Sequence, residues 1–175
     1  MPANRPSNIL ITGRPGVGKT TVIMRLAERL ADRTVVGFYT EELRLGAQRQ
    51  GFRAVTFSGQ STTLAHVSLK SQSRVGRYGV DVAAFDNLIL PELARPCDLM
   101  LIDEIGKMEC FSARFVIAVR ELLDSDTPVV ATVAARGSGF IAEAKARTDV
   151  EMLEVTRSNR DELPAWLAKR LNNSI

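Results

Sequence analysis

Cysteine and histidine are scarce in this chain of 175 residues, which contains two cysteines and one histidine. Cys97 and Cys110 do not form a C-x-x-C pair, so we expect two reduced thiols and no disulfide framework. The single histidine, His66, has no metal-ligating residue at a suitable spacing, and we interpret it as structural. These shortages argue against a disulfide-stabilised fold and against a metal site built on His66.

Long apolar runs and blocks of like charge are also missing. No run approaches the roughly 18 residues that span a bilayer, and residues 1–8 lack the apolar core of a signal peptide. We therefore expect a cytoplasmic protein with no membrane partner. The net charge is +3, but the 23 Lys and Arg residues are spread along the chain. We expect no nucleic-acid partner from this distribution, and we expect a monomer.

The chain contains instead an alternation of apolar runs and helical patterns. Strands are predicted at residues 8–12, 34–40, 52–57, 98–102, 128–133 and 150–155, and helices at 19–31, 81–94, 112–123, 140–146 and 160–171. Strands that alternate with helices predict an α/β fold with a central, mainly parallel sheet flanked by helices. Glycines punctuate residues 41–69, which we interpret as a small β-hairpin insert in a single domain spanning residues 1–175.

Residues 13–20 read G-R-P-G-V-G-K-T and match the phosphate-binding-loop pattern G-x-x-x-x-G-K-[ST] at every fixed position. An apolar strand precedes the pattern and an amphipathic helix follows it, as this loop requires. Glycines let backbone N–H groups converge on a triphosphate, and the helix start adds its positive dipole end. We expect Lys19 to bind the β- and γ-phosphates and the Thr20 hydroxyl to ligate Mg²⁺. The predicted nucleotide-binding residues are Gly13, Arg14, Pro15, Gly16, Val17, Gly18, Lys19, Thr20 and Thr21.

A second motif follows a fully apolar strand. Residues 99–102 run into Asp103 and Glu104, which is the Walker B pattern that delivers a carboxylate beside the phosphates. We expect Asp103 to hold Mg²⁺ through a water, because magnesium keeps much of its hydration shell, and Glu104 to activate the attacking water as a base. Residues 103–106 also satisfy the D-x-x-G motif of signalling GTPases, but the guanine-reading N-K-x-D motif is missing, which disfavours a GTP switch.

Five stretches occur in the order found in one known family: residues 13–20, G-F-Y-T-E-E at 37–42, R-Q-G-F at 49–52, V-G-R-Y-G-V at 75–80 and D-E-I-G-K-M-E at 103–109. Nearly the whole chain therefore resembles the P-loop nucleoside-triphosphatase family of thermophilic archaea and bacteria, which includes the human cancer-related nucleoside-triphosphatase. The resemblance implies a RecA-like P-loop NTPase fold and Mg²⁺-dependent hydrolysis of nucleoside triphosphates with broad tolerance of the base. It also implies that residues 13–20 bind phosphates, Asp103 binds magnesium and Glu104 activates water.

An arginine that stabilises the transferring phosphoryl group would complete the site, and it accelerates such reactions by roughly 10³–10⁵. Arg136 is our first candidate because it follows a strand end, where open α/β sheets bind ligands. Many members of the family carry His or basic residues after the fourth main strand, where this chain has A-A-R-G at 134–137. The further candidates are the cations Arg44, Arg77 and Lys107 and the wall residues Tyr39, Glu41 and Glu42. Asn159 and Arg160 follow the last strand, where related folds place loops that contact the base; alternatively, Ser158 or Asn159 caps the last helix.

The leading functional prediction is Mg²⁺-dependent hydrolysis of nucleoside triphosphates. Its catalytic residues are Glu104, Lys19 and Arg136, and its metal ligands are Thr20 and Asp103. The first alternative is a small kinase that passes the γ-phosphoryl group to a nucleotide or a nucleic-acid end. The second alternative is a nucleotide-dependent switch that binds a partner. Release of phosphate without an added acceptor distinguishes hydrolysis from both.

Overall fold

The structure is a computed structural model that describes residues 8–173. Within these residues the chain forms nine strands, five α-helices and one 3₁₀ turn. The strands are β1 (Asn8–Thr12), β2 (Val35–Leu45), β3 (Gln48–Thr56), β4 (Ser61–His66), β5 (Arg74–Val75), β6 (Tyr78–Val80), β7 (Leu99–Ile105), β8 (Val129–Val133) and β9 (Val150–Glu154). The helices are α1 (Lys19–Arg29), α2 (Val82–Leu93), α3 (Ala113–Leu123), α4 (Phe140–Lys145) and α5 (Leu163–Asn172), and the 3₁₀ turn covers Glu109–Phe111.

The nine strands belong to one sheet, in the order β5-β6-β4-β3-β2-β7-β8-β1-β9. The five strands from β2 to β9 pair in parallel, whereas β3, β4, β6 and β5 extend the sheet from β2 by antiparallel pairing. Strand β8 lies between β1 and β7, so the strand before the phosphate loop is not adjacent to the strand that carries Asp103. The predicted α/β fold with a central parallel sheet is confirmed.

Helices cover both faces of the sheet because each strand sends alternate side chains to opposite sides. Leu10 of β1 points into the layer formed with α2, α3 and α4, whereas Ile9 and Ile11 point into the layer formed with α1 and α5. Three phenylalanines meet edge to face in the first layer, with ring centroids 5.3 to 6.0 Å apart. Among the helices of residues 8–173, none is long and apolar enough to cross a membrane.

The region predicted as a β-hairpin insert does contain a hairpin, but it continues the central sheet. Strand β2 does not stop at residue 40; it runs on to Leu45 and then pairs with β3. Ion pairs hold the extended part of the hairpin, because Arg53 donates to Glu41 at 2.7 Å and Arg49 donates to Glu42 at 3.0 Å. Apolar periodicity could not show this extension, and it also missed β5, β6 and the 3₁₀ turn.

Helix ends depend on capping residues that periodicity does not show. Asp81 and Ser112 each accept a hydrogen bond from a backbone N–H three residues later, so α2 and α3 begin directly after them. Helix α5 begins at Leu163 rather than at residue 160, with Pro164 in its first turn, where the missing N–H has no helical partner to lose. Asn159 does not cap α5; its side chain bonds to the backbone of residues 154 and 156.

The fold brings the ends of β2 and β7 close together beside the phosphate loop. A Cβ at Gly37 would lie 1.8 Å from the carbonyl oxygen of Leu101, so β2 can approach β7 at this point only with glycine. The parallel register continues through Phe38 and Ile102. Thr40 follows two positions later on β2, and its N–H and hydroxyl both lie 3.3 Å from Oδ2 of Asp103 at the carboxyl edge of the sheet.

Candidate active site

A cleft of about 930 Å³ opens at the carboxyl edge of the parallel strands. Every predicted nucleotide-binding residue except Val17 lines it: Gly13, Arg14, Pro15, Gly16, Gly18, Lys19, Thr20 and Thr21. The other lining residues come from β2, β3, β7 and the segment after β8, and they are Thr40, Glu41, Glu42, Phe52, Asp103, Glu104, Ala134, Ala135 and Arg136. The side chain of Val17 packs instead against the apolar layer of α1 and α5. The two sequence motifs thus meet in one cleft.

The phosphate loop takes its shape from glycines with positive φ, which is 75° at Gly16 and 113° at Gly18. Residues with a Cβ rarely adopt this conformation. Helix α1 begins at Lys19 without a side-chain cap, so its first N–H groups are left for an anion. The ammonium of Lys19 donates to the carbonyl oxygen of Gly13 at 3.1 Å. Arg160 donates to the Val17 carbonyl oxygen at 3.2 Å and braces the loop from outside the cleft.

Asp103 is the polar centre of the site. It is 2% exposed, and its carboxylate accepts hydrogen bonds from three different elements. The Thr20 hydroxyl of α1 donates to Oδ2 at 2.8 Å, and the Thr132 hydroxyl of β8 donates to Oδ1 at 2.6 Å. Both the N–H and the hydroxyl of Thr40 on β2 lie 3.3 Å from Oδ2. These bonds fix the carboxylate beside the start of α1.

Glu104 follows Asp103 on β7 and is only partly buried, so its side chain reaches the cleft. The peptide bond between the two residues is cis. Burial raises the pKa of Glu104, the neighbouring charge of Asp103 raises this pKa further, and Lys19 opposes the rise. A general base works best when its pKa lies closer to neutrality than that of a free carboxyl group. The environment of Glu104 shifts its pKa in that direction.

Arg136 is the only one of the four cationic candidates after the phosphate loop that lines the cleft. It is exposed, and the ion pairs formed among residues 8–173 do not include it. Arg44 pairs with Glu42 on the surface of the hairpin. Arg77 donates to the carbonyl oxygen of Arg49, away from the cleft. Lys107 lines a smaller neighbouring cavity.

Comparison with known proteins identifies the family to which this geometry belongs. The profile of the NTPase family matches residues 8–168. The chain belongs to the NTPase family. The nucleoside-triphosphatase THEP1 of Thermotoga maritima is 42% identical over 158 residues, which cover 89% of this chain and 90% of the relative. The human cancer-related nucleoside-triphosphatase is 40% identical over 174 residues, which cover 89% of this chain and 92% of the relative.

Solved structures of the NTPase family agree with the fold described above. The crystal structure of THEP1 from the hyperthermophile Aquifex aeolicus matches with a TM-score of 0.86 at 36% identity, over 94% of this chain and 98% of that one. The solution structure of a human cancer-related nucleoside triphosphatase matches with a TM-score of 0.82 at 37% identity, over 96% and 98% of the two chains. The family resemblance predicted from the five sequence stretches is confirmed.

A metal in this NTPase-family cleft would have few protein ligands. Residues 8–173 contain no group of three or more His, Cys, Asp and Glu side chains that could hold a metal ion. Magnesium bound to a nucleotide, however, uses one or two protein oxygens and fills its remaining positions with phosphate and water oxygens. The hydroxyl of Thr20 and the carboxylate of Asp103, 2.8 Å apart, are hard oxygen donors of this kind. The donor set therefore fits magnesium.

Sequence reasoning missed several residues of the site. Thr40 and Thr132 bond to Asp103, and Phe52 forms part of the cleft wall. Glu41 and Glu42 line the cleft as proposed, but Tyr39 does not; its ring packs on Phe57 with centroids 5.5 Å apart. The available signal was a threonine on each strand that flanks β7: Thr132 lies near the end of β8, and Thr40 is the last residue of the strand predicted at 34–40.

A smaller cavity of about 270 Å³ adjoins the cleft, and we call it the side cavity. Five residues line both spaces: Thr40, Phe52, Glu104, Ala134 and Arg136. Five others line only the side cavity: Leu64, Val75, Lys107, Met108 and Glu109. Glu104 therefore stands between the phosphate loop on one side and a partly apolar chamber on the other.

Proposed function

We propose that this NTPase-family protein hydrolyses nucleoside triphosphates to nucleoside diphosphate and phosphate, with Mg²⁺ and with broad tolerance of the base. The hydrogen bond from Thr20 to Asp103 carries the proposal, because it joins the phosphate loop to the strand that presents Glu104. The relatives that support hydrolysis are named nucleoside-triphosphatases and are 40 to 42% identical to this chain.

Thr20 and Asp103 would hold the magnesium ion. The ion neutralises charge on the β- and γ-phosphates when it is bound. The protein prepares this place by directing two threonine hydroxyls, those of Thr40 and Thr132, at the carboxylate. These donors fix the orientation of Asp103, as partners of ligating carboxylates do in metal sites.

Glu104 takes the proton of the attacking water in this mechanism. Its pKa is raised by burial and by Asp103, so it binds a proton more readily than an exposed carboxylate does. Lys19 limits this rise and keeps the group available in its charged form. General-base catalysis of this kind contributes roughly 10²–10⁴ to the rate.

Two cations stabilise the transferring phosphoryl group in the proposed mechanism. Lys19 lies at the start of α1, where the loop N–H groups converge, and its ammonium reaches across the loop to Gly13. Arg136 lies on the segment after β8 and borders both the cleft and the side cavity. Two positive charges in the cleft favour the transition state, in which negative charge spreads over the equatorial oxygens.

Two observations support broad tolerance of the base: a missing sequence motif and the positions of the residues that line the cleft. The chain lacks the N-K-x-D motif that reads guanine, and the lining residues are concentrated on the loop and the strand ends that face phosphates. Binding energy that comes mainly from the phosphates does not discriminate among bases. The expected cytoplasmic location and monomeric state stay predictions.

The first experiment measures phosphate release from ATP, GTP, CTP and UTP with Mg²⁺ and without any other acceptor. We expect release from all four nucleotides, and loss of release when Lys19→Ala replaces the phosphate-loop lysine or when EDTA removes the metal. Tight nucleotide binding with no phosphate release would contradict hydrolysis and favour transfer to an acceptor or a switch. Release from a single nucleotide would contradict broad specificity alone.

The second experiment tests Glu104 as the base. Glu104→Gln keeps the size of the side chain but removes its basicity, so nucleotide binding should persist while kcat falls by roughly 10²–10⁴. The control is Glu121→Gln on the exposed face of α3, which removes a carboxylate outside the cleft and should behave like wild type. Near-normal turnover of Glu104→Gln would refute the assignment of the base.

A further inference from the structure

Glu109 is a buried acid that the mechanism above does not use. It opens the 3₁₀ turn after β7, and it is only 5% exposed. It lines the side cavity together with Glu104, among the apolar side chains of Phe52, Leu64 and Met108. Acidic side chains rarely occupy such a position unless they are paired or neutral.

Gly106 shows how close the two glutamates come. A Cβ at Gly106 would lie 2.8 Å from Oε1 of Glu104 and 2.8 Å from Oε2 of Glu109. The two oxygens are therefore no more than about 5.6 Å apart, a span that a direct hydrogen bond or one bridging water covers. The φ of Gly106 is not among the positive values, so glycine is needed here for space. We call Glu104 and Glu109 the carboxyl pair.

The charges around Glu109 are mostly of its own sign. Burial raises the pKa of Glu109 to about 8, and the charges of Glu104 and Asp103 on β7 contribute to this rise, while the backbone N–H groups of Glu109 and Gly106 oppose it. The Cys110 thiol lies on the same turn as Glu109, and Lys107 and Arg136 lie on the wall of the side cavity. The elements packed against the turn carry two further ionisable groups. Asp86 of α2 accepts a hydrogen bond from the Ser112 hydroxyl, and Arg114 of α3 is exposed.

Two carboxyl groups this close in a buried site cannot both ionise at low cost. Glu104 lines the cleft together with Lys19, whose positive charge favours a carboxylate there, whereas Glu109 does not line the cleft. Glu109 is more completely buried, and its nearest charged side chains on β7 are negative. The two environments therefore favour the charged form of Glu104 and the protonated form of Glu109.

We propose that Glu109 is a positioning residue for Glu104: it stays protonated, offers its O–H toward Glu104 across Gly106, and leaves the single negative charge of the carboxyl pair on the base. This inference rests on the proposed function, in which Glu104 takes the proton of water. Loss of the Glu109 proton would add a second negative charge beside Glu104. Turnover then falls as the pH rises.

The test is the pH profile of kcat and of KM for ATP with saturating Mg²⁺, from about pH 6 to pH 9.5. In wild type we expect kcat to fall toward alkaline pH, approaching roughly tenfold per pH unit as for the loss of one essential proton. Glu109→Gln carries a neutral side chain with an N–H donor. It should retain kcat within about threefold of wild type at pH 7 and lose the alkaline fall.

Two further variants separate positioning from general structure. Glu109→Ala removes the donor and should lower kcat by roughly tenfold to a hundredfold with little change in KM, because Glu104 loses its fixed orientation. Gly106→Ala inserts a methyl group between the two carboxyl groups and should lower kcat similarly while nucleotide binding persists. The matched control is Glu92→Gln, another buried carboxyl, which is paired with Arg95 and borders neither cavity; its pH profile should follow that of wild type.

Each outcome decides the inference separately from the proposed function. A Glu109→Gln profile that superimposes on the wild-type profile would overturn the role of Glu109, and hydrolysis with Glu104 as base would stand. A loss of turnover in Glu109→Gln as deep as that of Glu104→Gln would also overturn it, because Glu109 would then transfer the proton itself. A wild-type kcat in Gly106→Ala would show that the close approach of Glu104 and Glu109 at Gly106 does not matter for turnover, and it would overturn the inference. If Glu109→Ala does not fold, Glu109→Gln and Gly106→Ala still decide the question.

Discussion

The burial of Glu109 has a consequence for the stability of the whole chain. Its pKa is raised from an ordinary value of 4.5 to about 8, mainly by burial. Between these two values the folded protein keeps the proton while the unfolded chain releases it. The unfolded state then binds fewer protons than the folded state, so the free energy of unfolding must decrease as the pH rises. We predict that Glu109→Gln, which has no proton to lose, removes this decrease.

The size of the effect follows from the difference between the folded and unfolded pKa values. Each tenfold change in the proton-binding constant corresponds to about 1.4 kcal/mol, so a rise from 4.5 to about 8 amounts to at most about 5 kcal/mol between these pH values. Measured between pH 5 and pH 8, the free energy of unfolding of Glu109→Gln minus that of wild type should increase by up to about 4 kcal/mol. Well above pH 8 the folded and the unfolded wild-type protein have both lost the Glu109 proton, so the difference in the free energy of unfolding between Glu109→Gln and wild type should stay constant.

Urea unfolding followed by far-UV circular dichroism, at four or five pH values in this range, measures the difference. Glu143 provides a control with the opposite pH dependence, because the hydrogen bond from Arg120 lowers the pKa of Glu143 in the folded protein. The stability that Glu143 contributes is therefore present above its unfolded pKa and is lost as the pH falls through its folded pKa. The difference in the free energy of unfolding between Glu143→Gln and wild type should therefore change only at acidic pH. A difference for Glu109→Gln that is constant from pH 5 to pH 8 would refute a protonated, buried Glu109.

Three further predictions concern the surroundings of Asp103 and the cleft. Thr132→Val leaves the buried Oδ1 of Asp103 without its 2.6 Å donor and should lower the free energy of unfolding by about 1–3 kcal/mol in urea titrations, with a lower affinity for Mg²⁺–ATP. Gly37→Ala would bring a Cβ to 1.8 Å from the Leu101 carbonyl oxygen, so we expect insoluble protein or a strongly lowered Tm, and a wild-type Tm would contradict the close approach of β2 and β7. Arg136→Ala should lower kcat by roughly 10³ with little effect on nucleotide affinity in a binding assay, whereas unchanged kcat would exclude Arg136 as the stabilising arginine.

The phosphate loop and the Walker B strand could be predicted because their chemistry depends on short, contiguous patterns. Glycines at fixed spacing, Lys19 and Thr20 follow directly from how a backbone wraps a phosphate group. An apolar run that leads into Asp103 likewise indicates where a carboxylate meets the carboxyl edge of a parallel sheet. The structure places these two patterns in one cleft, although Val17 packs away from it and β7 continues past Asp103 to Ile105.

The partners of Asp103 could not be predicted from spacing. Thr40 lies 63 positions before Asp103 and Thr132 lies 29 positions after it, and only the strand order brings them together. The extension of β2 was missed for another reason. Glu41 and Glu42 are charged and expose part of their surface, so no apolar alternation marks them as strand, and cross-strand ion pairs with β3 hold them there.

The segment from Asp103 to Glu109 contains three acids whose different roles come from their surroundings. Asp103 accepts hydrogen bonds from three elements and is suited to hold a metal. Glu104 faces the cleft, where Lys19 limits the rise in its pKa and suits it to act as a base. Glu109 is buried beside the other two and is suited to remain neutral. Gly106 has a role of its own in this arrangement. The D-x-x-G pattern that suggested a GTP switch is explained here by the space that two converging carboxyl groups require. A side chain at this position would separate the base from the neutral group that we propose orients it.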